Sequence, residues 1–396
     1  MKTRQKLALL ATLYFSQGLP FGFFLQALPV MLRAQGVSLE AIGLSSLLAL
    51  PWALKFAWAP WIDRAPSLRR VIVTLQLAAT ALLVCLAFVD GSSLAWLCAG
   101  VLLTNLLAAT QDIATDGLAV QLLDESERGL GNGVQVAGYR VGMIVGGGLL
   151  LVIFADLGWT ASFLLMGALL LLATLPIAFS AEALPPRAVA PKDASLTAFL
   201  RSPGAPRWLC LIALYKAGDA AAGGMLRPWL VDIGFELDEL GWLLGTAGFS
   251  SGLAGALIGG LGTHSLGRRR ALVVFGLAEA IALGLHAAAA LAPEEHLRLA
   301  ASAVCLVEHF TGGLATVALF TAMMDRCRVE HGATDYTLQA SVVVAATGTA
   351  AALSGYSASH LGYPAHFTLS AVTALLGVAA MAKLGDRRTN AARQDN

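Results

Sequence analysis

Residues 94–122 read LAWLCAGVLLTNLLAATQDIATDGLAVQL, a run of 29 residues in which only Asp112 and Asp116 are charged. A bilayer core needs about 20 apolar residues of helix, and this run exceeds that length. A soluble helix would set a 3.6-residue apolar stripe against a charged face, whereas this one is apolar all round. Its two aspartates therefore stand where charge is expensive, because an ionisable side chain inside a span costs roughly 2.5–3.5 kcal/mol on insertion scales. Spaced i, i+4, they share one helical face. The stretch predicts a transmembrane helix carrying a functional pair.

The remainder of the chain repeats the pattern. Of 396 residues, 57% are hydrophobic and 13% charged, against about 25% charged in a soluble domain. Apolar runs between charge clusters predict twelve spans, near 7–32, 40–61, 71–89, 94–122, 133–155, 159–179, 207–231, 239–261, 271–291, 298–324, 336–359 and 363–383. The first begins after Lys2, Arg4 and Lys6 like a signal peptide, but it runs to Leu32 without a small-residue cleavage site and reads as a retained helix. The fold class is all-α, a polytopic membrane protein. A Pro-rich, charged connector divides it, giving an N-terminal six-helix half at 1–180, a linker at 181–206 and a C-terminal six-helix half at 207–396.

Orientation follows from counting Lys and Arg loop by loop. Twenty fall on the side of the N-terminus, two (Arg33 and Arg298) on the other, and Lys55, Arg140, Lys216 and Arg227 lie inside spans. Both termini are expected in the cytoplasm. The halves also repeat at close to 200 residues: Tyr14 with Tyr215, Pro29 with Pro228, Gly36–Gly43 with Gly234–Gly241, Arg69-Arg70 with Arg269-Arg270, Gln135 with Gln339. Six spans per half give repeats of one orientation, related by an axis along the membrane normal, which predicts alternating access around a site between them.

Lys plus Arg number 26 and Asp plus Glu 25, so no charge excess points to nucleic acid. Cys85, Cys98, Cys210, Cys305 and Cys327 form no Cys-x-x-Cys pair and imply neither zinc nor a disulfide framework. With no phosphate loop, nucleotide fingerprint or triad either, no enzyme activity and no metal or cofactor is expected.

The buried charges are the candidates for function. Counted from Leu122 at 1.5 Å per residue, Asp112 and Asp116 stand roughly 15 and 9 Å above the cytoplasmic end, and Arg140 on the next helix roughly 12 Å. Lys55 reaches a similar level. The expectation is that Arg140 neutralises one aspartate while the other titrates, making Asp112, Asp116, Arg140 and Lys55 a proton-coupling group. A static paired network is the alternative. Tyr14, Gln17, Trp52, Gln111 and Tyr139 in the first half, with Lys216, Asp219, Glu308 and His309 in the second, are the candidate substrate-binding residues. Asp63, Arg64, Arg69 and Arg70, between spans two and three, are expected to pair with helix ends and latch a cytoplasmic gate, with topogenic charge as the plain reading. Gly138, Gly142 and the Gly146-Gly147-Gly148 run place small residues on one face, which favours close helix packing.

Three stretches carry a family resemblance: Tyr14-Phe15-Ser16-Gln17-Gly18-Leu19-Pro20, the Leu50-Pro51-Trp52-Ala53-Leu54-Lys55 run continuing to Asp63-Arg64, and Gln111-Asp112-Ile113-Ala114-Thr115-Asp116. They resemble the branch of the major facilitator superfamily that holds muropeptide permeases, acetyl-CoA transporters and bacterial siderophore importers of the rhizobactin and pyochelin type. The wording around Gln17 and Trp52 is most similar to the siderophore importers, with muropeptide permeases second. The resemblance implies a monomeric, multi-pass protein of the bacterial inner membrane that imports a ferric siderophore with protons; a muropeptide permease and a non-transporting receptor are the competing readings.

Overall fold

The computed structural model describes residues 1–24, 28, 48, 50–89, 94–180 and 196–383. Every regular element among them is helical, as an apolar medium demands of a chain whose backbone groups must be satisfied from within. Nine helices among the described residues are long and apolar enough to cross a membrane, and they coincide with the expected third, fourth and sixth to twelfth spans. The end of the first span, the start of the second, Pro29, Arg33, the Gly36–Gly43 run, the 181–195 part of the linker and the C-terminal arginines lie outside the described residues.

Contacts divide the chain into two compact units. The first comprises Met1–Glu127, Val134–Phe199 and Arg326–Ser341. Its helices are α1 (Thr3–Gly22), the short α2 (Leu50–Leu54) and α3 (Ala59–Asp63) joined by a 3₁₀ turn, α4 (Leu68–Ala87), α5 (Leu94–Leu122), α6 (from Arg128 to Met143) and α7 (Leu150–Ala178). A wide π turn at Ile144–Leu149 links α6 to α7, and Gly158, at φ +78°, breaks α7 into the end of the fifth span and the sixth. The glycine face on α6 explains how α1 is held. A Cβ on Gly142 would lie 2.3 Å from the Phe15 carbonyl oxygen, and one on Gly18 2.0 Å from that of Tyr139. Only glycine permits this backbone-to-backbone approach, in keeping with small-residue packing in membranes. Away from that seam the core is aromatic and aliphatic, with Phe23 edge-on to Phe163 at 5.2 Å among Leu83, Leu86, Met166 and Leu170.

The N-terminus of α1 is tied down ionically. Lys6 Nζ stands 2.7 Å from Glu127 and 3.1 Å from Asp124, and the Thr3 hydroxyl donates to Glu127 at 2.6 Å. Burial opposes ionisation of Glu127, yet the Lys6 and Thr3 donors and the Asp124 N–H hold its carboxyl down at about 2.

The second unit comprises Arg128–Gly133, Leu200–Asp325 and Val342–Asn396. After α8 (Leu196–Leu200) it contains α9 (Ala205–Asp232), α10 (Leu237–Leu240), a π turn at Gly241–Gly248, α11 (Phe249–Leu266), α12 (Arg268–Ala289), α13 (Glu294–Met324), most of α14 (Gly332–Leu361) and α15 (Tyr363–Ala382). Its core centres on Trp229, edge-on to Phe367 at 5.2 Å, with Leu230, Leu283 and Cys305. The first turn of α6 belongs here because small residues let it reach α11: a Cβ on Gly133 would lie 3.1 Å from both the Ala256 carbonyl and the Gly260 Cα. Arg128 and Arg268 both donate to Asp325, at 2.8 Å each. The segment 326–341, including the first turns of α14, packs instead in the first unit, where Gly117 meets Ala333.

Candidate functional site

The fourth-span aspartates lie on the buried face of α5. Asp112 is 8% exposed and Asp116 2%. Lys55, at the turn between α2 and α3 and 5% exposed, donates to Asp112. The cation on Asp112 is thus Lys55, a member of the expected group in which Arg140 was to neutralise one of the two aspartates. Depth along a helix does not say which way a side chain points, and the 3₁₀ turn aims Lys55 at α5. Arg140 lies half-buried on α6.

Asp116 is held differently. The Tyr14 hydroxyl donates to its Oδ1 at 2.8 Å and the Gln135 amide nitrogen approaches the same atom at 3.4 Å. The two carboxylates, one turn apart, thus differ: the Lys55 ammonium donates to Asp112, while Tyr14 and Gln135 donate to Asp116.

Around this pair is an aromatic and amide wall. Phe21 packs edge-on to Trp52 at 5.3 Å and against Tyr139 at 5.7 Å, and Lys55 Nζ sits 5.6 Å from the Trp52 ring centre. Trp52 is fixed by its indole N–H donating to Asn105 at 3.2 Å, and Asn105 donates in turn to the Leu48 carbonyl at 2.9 Å. Gln111 turns away into a network, donating to the Ser16 hydroxyl at 2.9 Å beside Gln76 at 2.8 Å. Gln17 is fully buried with neither amide atom hydrogen-bonded. Leaving such a group unsatisfied costs about 1–3 kcal/mol, so Gln17 offers a donor and an acceptor that the fold itself does not use.

The turn after the second span is also engaged. Asp63, 0% exposed, accepts from the backbone N–H groups of Ala333 at 3.2 Å and Thr334 at 2.7 Å, the first turn of α14. A carboxylate there satisfies orphan donors and meets the positive end of the helix dipole. Beside it Arg328 grips Asp335 through Nε at 2.9 Å and Nη2 at 2.7 Å. Arg69 donates to the carbonyls of Ile177 and Ala178 at the C-terminus of α7, a capping role. Arg64 and Arg70 are exposed. Of the expected latch, Asp63 and Arg69 both meet helix ends.

In the second unit Lys216 on α9 stands 2.5 Å from Asp219, one turn along, and 3.2 Å from Glu279 on α12. His309 Nδ1 is 2.9 Å from the Cys305 carbonyl and 2.7 Å from Glu308. A carbonyl only accepts, so Nδ1 carries the proton. Glu308 and His309, adjacent in sequence, are thus neighbours in the fold as well. Sequence reasoning missed Glu279 in this cluster and the Arg328–Asp335 clasp. A lone Glu inside the ninth span was itself a signal; the clasp joins a loop residue to the first turn of α14, where charge is ordinary.

A family model described as Major Facilitator Superfamily matches residues 10–230. The anhydromuropeptide permease of Escherichia coli is 30% identical over 389 residues, covering 94% of this chain and 78% of that protein. An uncharacterized protein of Haemophilus influenzae is 29% identical over 399 residues, covering 94% of this chain and 93% of its own length. Among solved structures, the major facilitator transporter FucP in the outward conformation superposes with a TM-score of 0.74 at 15% identity, covering 95% of this chain and 97% of that one. The siderophore solute implied by the sequence resemblance finds no support in these relatives, and the muropeptide permeases ranked second do.

Proposed function

The chain belongs to the major facilitator superfamily, and on that premise we propose that it imports an anhydromuropeptide across the bacterial inner membrane by proton-coupled alternating access. The observation that carries this reading is the 30% identity to an anhydromuropeptide permease, sustained over 94% of the chain. Both termini face the cytoplasm, on the strength of the twenty-to-two partition of Lys and Arg.

The site suits a sugar joined to a peptide. Phe21, Trp52 and Tyr139 offer faces to the C–H surface of a sugar ring, Gln17 supplies unspent amide donors and an acceptor, and Lys55 stands ready to meet a peptide carboxylate in exchange for Asp112. Asp116, held by neutral donors, carries the coupling proton. Asp63 at the α14 N-terminus latches the cytoplasmic gate and lets go when that side opens.

The test is uptake in a Gram-negative host deleted for its own anhydromuropeptide permease. Cells expressing this chain should accumulate a radiolabelled anhydromuropeptide, and a protonophore should abolish the accumulation. Accumulation of ferric pyochelin with none of the anhydromuropeptide would overturn the assignment of solute.

A further inference from the structure

The first unit balances its buried lysine against one carboxylate. The second does not. Lys216 on α9 is the one ammonium for two carboxylates, Asp219 at 2.5 Å and Glu279 at 3.2 Å, with the Thr316 hydroxyl of α13 at 3.4 Å. The Glu279 side chain is only 2% exposed. A third carboxylate comes close: a Cβ placed on Gly312 would have as its three nearest neighbours Glu279 Oε1 at 3.6 Å, Glu308 Oε1 at 3.7 Å and Asp219 Oδ1 at 4.0 Å. Carboxylates from three helices thus border one small space that glycine leaves open.

Among the described residues of this unit, the other titratable groups near this space do not restore the balance. On α13, His309 Nδ1 is hydrogen-bonded to the Cys305 carbonyl at 2.9 Å, with a Glu308 oxygen 2.7 Å away. On α12 itself, His286 Nδ1 is spent on the Ala282 carbonyl at 3.1 Å. On α15, His366 meets Ser357 at 2.6 Å and the Ala221 carbonyl at 3.1 Å. The Tyr215 hydroxyl of α9 donates to the Leu272 carbonyl. On α11 the one ionisable residue is His264, in its last turn. A buried carboxylate short of a counter-charge takes up a proton rather than remain ionised.

From the Lys216 ammonium shared between Asp219 and Glu279, with Glu308 bordering the same space, we propose that Glu279 is a second proton-carrying residue of the transport cycle. Ionised, Glu279 holds Lys216 jointly with Asp219. Protonated, it releases the ammonium to Asp219 alone. The proton is taken from water on one side of the membrane and returned to water on the other, so an O–H bond at the Glu279 carboxyl is all that forms and breaks. The role rests on the transporter reading, but the protonation itself does not.

The experiment therefore has two arms on the full chain reconstituted in lipid. Infrared difference spectra between alkaline and acidic pH should show a carboxylic-acid C=O band that disappears in Glu279→Gln and persists, shifted, in Glu279→Asp. In vesicles, Glu279→Gln should lose gradient-driven accumulation of radiolabelled anhydromuropeptide while solute exchange without a gradient continues, and Glu279→Asp should restore part of the accumulation. A band unchanged in Glu279→Gln overturns the proposal. So does equal loss of exchange and accumulation with no rescue by Glu279→Asp, the mark of a purely structural role. Failure of the wild-type chain to move the anhydromuropeptide defeats the functional assignment instead, and the infrared arm still decides whether Glu279 titrates.

Discussion

Replacing Lys55 by Met removes the ammonium and leaves Asp112 buried without its counter-charge. The Lys55 and Asp112 side chains are 6% and 11% exposed, so solvent screens the pair weakly. Opposite unit charges about 4 Å apart attract by about 4 kcal/mol at an effective dielectric of about 20, and breaking a buried pair by deleting one partner costs about 3–5 kcal/mol. Asp116, one turn along α5, adds repulsion between like charges that Lys55 now offsets. Lys55→Met should therefore lower the unfolding free energy by about 3–5 kcal/mol, while Lys55→Met combined with Asp112→Asn should recover most of it, because neither charge then lacks a partner. Denaturant unfolding in mild detergent, followed by far-UV circular dichroism, measures both. A loss below about 1 kcal/mol in the single variant, or a double variant as unstable as the two singles summed, would refute the reasoning.

Four further outcomes are expected. Gly142→Ala should cost about 1–3 kcal/mol by overpacking against the Phe15 carbonyl, whereas Gly223→Ala, with no atom within 4 Å of its new Cβ, should be neutral or stabilising by up to about 1 kcal/mol; the same unfolding assay separates them. Asp63→Asn should keep the fold but weaken the interaction with the α14 N-terminus by about 0.3–1 kcal/mol, the charge–dipole part, which faster hydrogen exchange at the Ala333 and Thr334 amides would report. Glu127 has its carboxyl lowered in the folded state from 4.5 to about 2. It therefore contributes stability that is complete above about 4.5 and is lost as the pH falls toward about 2, and Lys6→Met should flatten that limb of a melting-temperature profile. Asp116→Asn should leave solute binding intact and abolish the response of transport to a pH gradient, measured as protonophore-sensitive uptake.

Much of the fold could be read directly from residue types. Lipid tolerates so few charges that the spans stand out as gaps between clusters, and the break between the fifth and sixth spans falls beside its structural cause, Gly158 at φ +78°. The buried charges of the candidate site were legible as such, and their pairings less so. Distance along an axis placed Asp112, Lys55 and Arg140 at one level, but the azimuth that gives Asp112 to Lys55 depends on the 3₁₀ turn at Lys55–Ala57. The partner of Asp63 lies 271 residues away, and no local pattern connects a turn carboxylate with a distant helix N-terminus. Glu279 carried the same signal as Glu308, a lone acid within an apolar run, and only its approach to Lys216 distinguishes it. The solute was the least legible feature, because the short stretches that carry the family wording resemble branches that move different solutes.

Vesicles containing only this protein and lipid, loaded at neutral pH and placed in acidic medium with a radiolabelled anhydromuropeptide outside, test the central claim most directly. The account predicts uphill accumulation that collapses when the pH difference is dissipated and that Asp116→Asn cannot sustain. Equilibration of the label to equal concentrations inside and out, indifferent to the pH difference, would contradict it.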